Sequence, residues 1–336
     1  MYIKPNYSLI HHNTFHLSVK TRWFMEYDNE EELSRILQDD FFRENRFLSI
    51  GEGSNMLFIN DFDGIILHSQ IKGIAVEEET SASVLLRVGA AEHWDDVVAF
   101  AVSKGWGGLE NLSSIPGTAG AAAVQNIGAY GVEIKDVTET VEAFNPRTGG
   151  KQFFTNEACK YGYRHSFFKE AGTDPFIITA IRLRLQKSPQ FRLDYGNLAK
   201  AFSNRTVTLQ AIRDFVIDDR RSKLPDPKEL GNVGSYFINP VIPTQQFDEL
   251  KMRYPSIPFY PVSEGTVKVP AGWLIEQCGF KGKRENHVGV YEKQALILVN
   301  FGGATGNEIA AFAEKICRSV YEKFGIHLIP EVKYVN

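Results

Sequence analysis

The chain has 336 residues, 43% of them hydrophobic and 23% charged, and a formal net charge of −4. That length suits two or three domains, the composition excludes a disordered chain, and the small net charge argues against wholesale attraction to nucleic acid or anionic membrane. Three scattered cysteines, Cys159, Cys278 and Cys317, form neither a disulfide framework nor a metal-ligand pair and fit a reducing compartment. Residues 1–12 carry no apolar signal core and the longest apolar runs, such as 295–299, are far too short to span a membrane. The expectation is a soluble cytoplasmic protein with no metal site and no obligate protein partner.

In chain order, Asp28 or Asn29 can cap a helix that carries Leu33, Ile36 and Leu37 on one face. A strand is predicted over 47–50, then a glycine turn, then apolar segments at 56–59 and 64–67, together a small βαβ-type lobe. Residues 84–88 read as a strand. Trp94, Val97, Val98 and Ala101 mark a helix that Gly105 can stop. The stretch 112–131 is rich in Gly and Ala, and strand character returns over 137–144 and 176–185. A helix is predicted over 211–220, after which Leu224-Pro225-Asp226-Pro227 ends helical structure and marks a domain boundary. A strand is predicted over 295–300. In the last helix Ile309, Phe312, Ala313, Ile316, Val320 and Phe324 recur at helical spacing, with Asn307 as the expected cap and Gly325 as the stop. The apolar segment 326–332 is expected to return as a strand to the first lobe.

Several segments could carry chemistry. Gly51-Glu52-Gly53-Ser54-Asn55 would let backbone N–H groups approach a diphosphate, although Met56 replaces the third glycine of a dinucleotide fingerprint; a glycine turn between strands is the plainer reading of these residues alone. Ile115-Pro116-Gly117-Thr118-Ala119-Gly120, leading into Gln125-Asn126-Ile127-Gly128-Ala129-Tyr130-Gly131, supplies small side chains where a flat ring or a second backbone comes close; a tightly packed Ala/Gly helix is the alternative. Taken together, the two glycine segments favour a bound dinucleotide. Arg164, among Tyr161 and Tyr163, suits a carboxylate or phosphate or can lie over the tyrosines. Arg220, Arg221 and Lys223 form either a solvated face or a phosphate-binding edge. Ser235, in Gly231-Asn232-Val233-Gly234-Ser235, is not a nucleophile elbow; it is a turn-bracing serine or a proton donor. Glu331 is a single acid in an apolar segment.

The order and spacing of these motifs, with Asn13-Thr14-Phe15, Leu109-Glu110-Asn111-Leu112, Lys223-Leu224-Pro225-Asp226-Pro227, Asn239-Pro240, Ala271-Gly272-Trp273-Leu274-Ile275, Gln294-Ala295-Leu296 and Pro330-Glu331-Val332, resemble the UDP-N-acetylenolpyruvoylglucosamine reductase family over nearly the whole chain. The resemblance implies an α+β, three-domain flavoprotein with a two-lobed FAD-binding region of the vanillyl-alcohol-oxidase-like type and an α+β substrate-binding domain. Residues 1–72 plus 326–336 would form the first FAD lobe, 73–223 the second, and 224–325 the substrate domain. FAD would be held non-covalently by Gly51, Gly53, Ser54, Asn55, Ile115, Pro116, Gly117, Gly120, Gln125, Asn126, Gly128 and Tyr130, since the first glycine loop offers no histidine for covalent attachment.

The same resemblance implies that NADPH and the enolpyruvyl UDP-sugar use one cleft in turn, the product being UDP-N-acetylmuramate for cell-wall synthesis. Ser235 matches the proton donor, and Arg164 and Glu331 the pair that stabilises the enolate. Tyr195, Lys223, Asn239 and Gln294 match substrate contacts, with Arg220 near the same phosphates. Tyr195, in Leu193-Asp194-Tyr195-Gly196, matches a loop found in the longer family type. His165 stands where several relatives carry an acid and receives no role, and Lys281 lies in a divergent segment. A sugar or lactone oxidase of the same fold, or a non-catalytic nucleotide-sugar binder, are the competing readings.

Overall fold

The computed structural model describes residues 3–170 and 175–336. Its contacts divide into two compact units. The first comprises the described parts of Met1–Tyr7, Thr21–Glu52 and Asp63–Ser222, and the second Ser8–Lys20, Gly53–Phe62 and Lys223–Asn336.

In the first unit a five-stranded antiparallel sheet runs in the order Lys151–Thr155, Thr138–Phe144, Ile177–Gln186, Ser83–Gly89, Ile74–Glu79. The predicted strands at 84–88, 137–144 and 176–185 are its three central members. Val84, Leu86, Val88, Val141, Ile181 and Leu183 bury one face against the helix Trp94–Ser103 and the Ala/Gly helix Ala119–Gln125. The opposite face is charged. Arg87 and Arg182 stand directly opposite each other across two strands, a repulsive pairing by itself. Buried Glu142 resolves it, meeting Arg87 at 2.8 Å, Arg182 at 2.5 Å and Lys151 at 2.6 Å.

A four-stranded sheet, ordered Ile3–Ser8, Lys20–Tyr27, Phe62–Ser69, Phe47–Ile50, forms the rest of this unit's strand structure apart from one short hairpin. The predicted strand at 47–50 pairs parallel with the one at 62–69. Its N-terminal members, Ile3–Ser8 and Lys20–Tyr27, escaped the sequence reading, because Lys4, Pro5 and Asn6 mask the apolar alternation. The helix Glu30–Gln38 buries Leu33, Ile36 and Leu37, and Asn29 rather than Asp28 caps it, accepting the Glu32 N–H at 2.9 Å.

The second unit holds a four-stranded antiparallel sheet, ordered Gly231–Ser235, Ile297–Asn300, Val288–Val290, Arg284–Glu285, and a three-stranded one, ordered Val241–Pro243, Thr266–Lys268, Tyr260–Ser263. The long helix Gly306–Phe324 buries the six apolar residues named above and ends at left-handed Gly325. Its cap corrects the expectation of Asn307: Thr305 is the N-cap, and Thr305 and Glu308 form a reciprocal capping box. Asn307 is the second residue inside the helix, past the half-in position from which a side chain accepts the first-turn amides. The terminal strand is also displaced from 326–332. Residues 333–335 pair instead, parallel with Met56–Phe58, while Pro330 makes an isolated bridge to Phe237.

Candidate active site

In the first unit the structure brings the two glycine-rich segments together. A Cβ on Gly51 would stand 2.7 Å from the Thr118 hydroxyl, and the Glu52 carboxylate accepts the Gly117 N–H at 3.1 Å. Gly120 lies equally close to Ala90. The small residues therefore admit a second strand of backbone, and 119–125 is a tightly packed helix. Its Gln125 takes a hydrogen bond from Lys169 at 3.0 Å, and Asn126, left-handed at its end, is buried and bonded to Glu133 and to the Gly162 carbonyl.

Beyond that helix Gly128–Ala129 and Val132–Glu133 form a two-residue hairpin. Both turn residues, Tyr130 and Gly131, have positive φ, at 47° and 79°, which is a type I′ turn. Arg164 is tied to this hairpin: its guanidinium donates to the Gly128 carbonyl at 2.7 Å. Arg164 is itself left-handed, φ 55°, in a turn closed by paired Gly162 and His165 backbone bonds, and its guanidinium lies 5.5 Å from the Tyr163 ring centre. Tyr195 packs on Gly131, where an added Cβ would meet its Cβ at 3.2 Å, and is 44% exposed. Arg220, on the helix Leu209–Lys223, donates to the Ser114 carbonyl at 3.2 Å, one residue before Ile115. Burial lowers its pKa, the nearby Arg164 charge adds to that, and Asp95 and Asp219 oppose it. Among the described residues no carboxylate lies within ion-pair distance of Arg220. Ile115, Pro116, Gly117, Gln125, Gly128, Tyr130, Arg164, Tyr195 and Arg220 thus gather on this unit.

A second set gathers on the other unit. Gly53, Ser54 and Asn55 lead into Met56–Phe58. Gly53 has φ 64° and stands where a Cβ would be 2.1 Å from the His12 carbonyl. Among the described residues the amides of Gly53, Ser54 and Asn55 donate to no acceptor in the chain, and the neighbouring Thr14 hydroxyl is buried without a partner. Donors without acceptors beside a glycine turn fit the diphosphate of a dinucleotide. The Asn55 side chain reaches the Glu331 carbonyl at 3.3 Å, and the Glu331 N–H donates to the Tyr236 carbonyl at 2.8 Å. Ser235, Asn55 and Glu331 therefore belong to one patch of backbone.

Ser235 is exposed, and among the described residues its hydroxyl has no hydrogen bond. The turn before it, left-handed at Gly234 with φ 72°, is braced by Asn232, whose Oδ1 accepts the Gly234 N–H at 2.9 Å. Asn239 accepts the Ala271 N–H at 2.9 Å, and Gln294 Oε1 would lie 3.1 Å from a Cβ on Gly272. Both predicted substrate contacts thus frame the start of the helix Ala271–Gln277. Lys223 is exposed at the end of its helix.

Two family models match parts of the chain. The FAD binding domain model matches residues 22–150, and the C-terminal domain model of UDP-N-acetylenolpyruvoylglucosamine reductase matches 226–335. The UDP-N-acetylenolpyruvoylglucosamine reductase of Porphyromonas gingivalis is 52% identical over all of both chains. The chain belongs to the UDP-N-acetylenolpyruvoylglucosamine reductase family. The enzyme of that name from Chromobacterium violaceum is 42% identical over 95% of each chain. The solved reductase from Thermus caldophilus, 21% identical, covers 100% of this chain and 98% of its own, with a TM-score of 0.69.

p-Cresol methylhydroxylase, 10% identical, shares the architecture over 97% of this chain and 84% of its own, with a TM-score of 0.50. The fold is therefore the vanillyl-alcohol-oxidase-like flavoprotein fold, and the first half of the chain carries an FAD-binding domain, as family membership requires. Among the described residues no group of three or more His, Cys, Asp or Glu could hold a metal, and no helix is long and apolar enough to cross a membrane.

Sequence reasoning missed Asn232, the brace beside Ser235, and Asp95, Arg213 and Asp219, which support Arg220 and Tyr130. Arg213 grips Asp95 through two bonds of 2.7 and 2.8 Å, and Asp95 accepts the Ser114 N–H at 2.6 Å. Helical spacing on 209–223 puts Arg213 and Arg220 on one face, a signal available in the sequence.

Proposed function

We propose that this chain reduces the enolpyruvyl ether of UDP-N-acetylglucosamine to UDP-N-acetylmuramate in the cytoplasm, with NADPH as reductant and non-covalent FAD, as a step in peptidoglycan precursor synthesis. We also propose the three-part division, with 1–72 plus 326–336 and 73–223 as the flavin lobes and 224–325 as the substrate domain. The observation that carries the reading is Ser235, in a chain of this family. A serine that only braced its turn would spend its hydroxyl there, yet Asn232 does that work and the Ser235 hydroxyl is presented to solvent.

When bound, FAD supplies the hydride relay between NADPH and the alkene. The chain's own residues do the rest. The amides of Gly53, Ser54 and Asn55 hold the diphosphate. Arg164, preset by Gly128 and Asn126 carbonyls, stabilises the negative charge that grows on the substrate carboxylate as hydride arrives, the most effective use of such a contact. Glu331 assists by holding or sharing a proton. Ser235 protonates the adjacent carbon; a serine is a weak acid, but the enediolate is a strong base. Arg220, Lys223, Asn239, Gln294 and Tyr195 hold the UDP-sugar.

The test is a visible spectrum under anaerobic conditions. The purified protein should be yellow, release its flavin on heat or acid treatment, bleach with NADPH and recover colour with the enolpyruvyl UDP-sugar. Bleaching with a simple sugar but not with NADPH would replace this reading with the oxidase one, and a colourless protein that binds UDP-sugars with the non-catalytic one.

A further inference from the structure

The turn Tyr130-Gly131 holds an unfavourable residue. Both positions of a type I′ turn need positive φ, which suits Asn, Asp or Gly, and a tyrosine there crowds its Cβ against the following carbonyl oxygen. Such strain persists only where surrounding contacts over-determine the conformation. Two contacts do so here. The Tyr130 carbonyl accepts the Asn111 side-chain amide at 2.9 Å, and the phenol donates to Asp219 Oδ2 at 2.7 Å. Burial and the adjacent carboxylate both raise the phenol pKa, so it stays a donor. Asp219 borders a cavity of about 480 Å³ whose lining includes Asn197, Lys200, Arg205 and Phe215. The ring itself packs against the cluster of Leu198, Phe202, Ile212 and Val216, and the hydrogen bond to Asp219 fixes its tip.

We propose that Asp219 is a positioning residue: by latching Tyr130 it fixes the strained hairpin that carries both the Gly128 carbonyl holding Arg164 and the Gly131 floor under Tyr195. Two of the groups assigned above to the UDP-sugar thus share one support. The inference rests on the proposed function for the ligand it names. It predicts that Asp219 acts on UDP-sugar binding chiefly through Tyr130.

The experiment is a double-mutant cycle on the FAD-loaded, oxidised protein, with the affinity for the enolpyruvyl UDP-sugar measured by calorimetry without reductant. Asp219→Ala should weaken binding about tenfold, or about 1.4 kcal/mol, while flavin content, melting temperature and the rate of reduction by NADPH stay near wild type. Asp219→Asn, which keeps an acceptor oxygen, should recover most of the affinity. Tyr130→Phe should cost a similar factor, and adding Asp219→Ala to it less than about twofold more, because the two act as one unit. Amide hydrogen exchange over 128–133 should quicken in Asp219→Ala.

Wild-type affinity in Asp219→Ala, or losses that simply multiply in the double variant, would overturn the inference alone. If Asp219→Ala loses its flavin, Tyr130→Phe, which removes the same hydrogen bond from its other end, decides: a loss of about tenfold supports the latch and wild-type affinity overturns it. A wild-type protein that does not bind the UDP-sugar would remove the functional reading, and the latch with it.

Discussion

The first unit contains two arginine clusters that the same physics treats in opposite ways. On the charged face of the five-stranded sheet, Arg87 and Arg182 have their pKa raised by the hydrogen bonds they donate, chiefly to Glu142 and Glu77 respectively, and Glu142 answers three cations at once. Near the hairpin at 128–133, Arg220 has its pKa lowered by burial and holds one backbone carbonyl. The first cluster is closed on itself, with nothing left for a ligand to satisfy. The second holds a half-buried positive charge that, among the described residues, no carboxylate meets at ion-pair distance. That contrast separates charge that holds the fold from charge that waits for an anion, and residue type alone would not have made the distinction.

The contrast breaks most visibly at Glu142. Glu142→Gln leaves Arg87, Arg182 and Lys151 facing one another and should destabilise the protein by about 3–5 kcal/mol in denaturant unfolding, with little effect on affinity for the UDP-sugar. The same residue gives a pH dependence. Burial alone would raise the Glu142 carboxyl, but hydrogen bonds from Arg87 and Lys151 outweigh it and hold it at about 2, against an ordinary 4.5. A carboxylate lowered in the folded state stabilises the fold fully above the unfolded pKa. That contribution is lost as pH falls through the folded one. Stability should therefore decline between about pH 4.5 and 2, and the decline should be shallower in Glu142→Gln. Equal slopes in the two proteins would place acid unfolding elsewhere.

Arg220→Met should do the reverse. Removing a half-buried cation that no carboxylate meets among the described residues should leave the stability of the ligand-free protein unchanged within about 1 kcal/mol, and the UDP-sugar dissociation constant should rise about ten- to a hundredfold. A large loss of stability with normal affinity would move Arg220 into the structural class and dissolve the contrast. The smallest effect belongs to Tyr195. It is exposed in a glycine-containing loop, so Tyr195→Phe should raise the same dissociation constant a few-fold, as for one exposed hydrogen bond, and leave reduction by NADPH untouched. Equal slowing of both steps would show that Tyr195 does more than cover the UDP-sugar.

Much of this was legible in the sequence wherever one local signal decided the outcome. The helix over 30–38 follows from an Asx cap and three apolar residues on one face, and the strand at 47–50 from its β-branched and aromatic content. The final helix was found by its period, yet its start was misplaced because Asn307 was weighed alone, when Thr305 and Glu308 together spell a capping box. The strands Ile3–Ser8 and Lys20–Tyr27 were missed because polar residues and Pro5 interrupt their pattern. The type I′ hairpin was illegible because tyrosine is a poor residue for that turn, and its explanation, Asp219, lies 89 positions away. The glycines at 51 and 120 read as close-approach residues, but that they approach Thr118 and Ala90 is a property of the folded chain.

The account stands most directly on Ser235, whose hydroxyl has no hydrogen bond among the described residues while Asn232 braces the turn. Stopped-flow absorbance can follow the two half-reactions separately on one sample of Ser235→Ala. Reduction by NADPH should proceed at a near-normal rate, with flavin content and melting temperature unchanged. Reoxidation by the enolpyruvyl UDP-sugar should slow about a hundredfold or more, as for loss of a positioned acid. A normal reoxidation rate, or equal slowing of both half-reactions, would contradict the assignment of Ser235 as the proton donor.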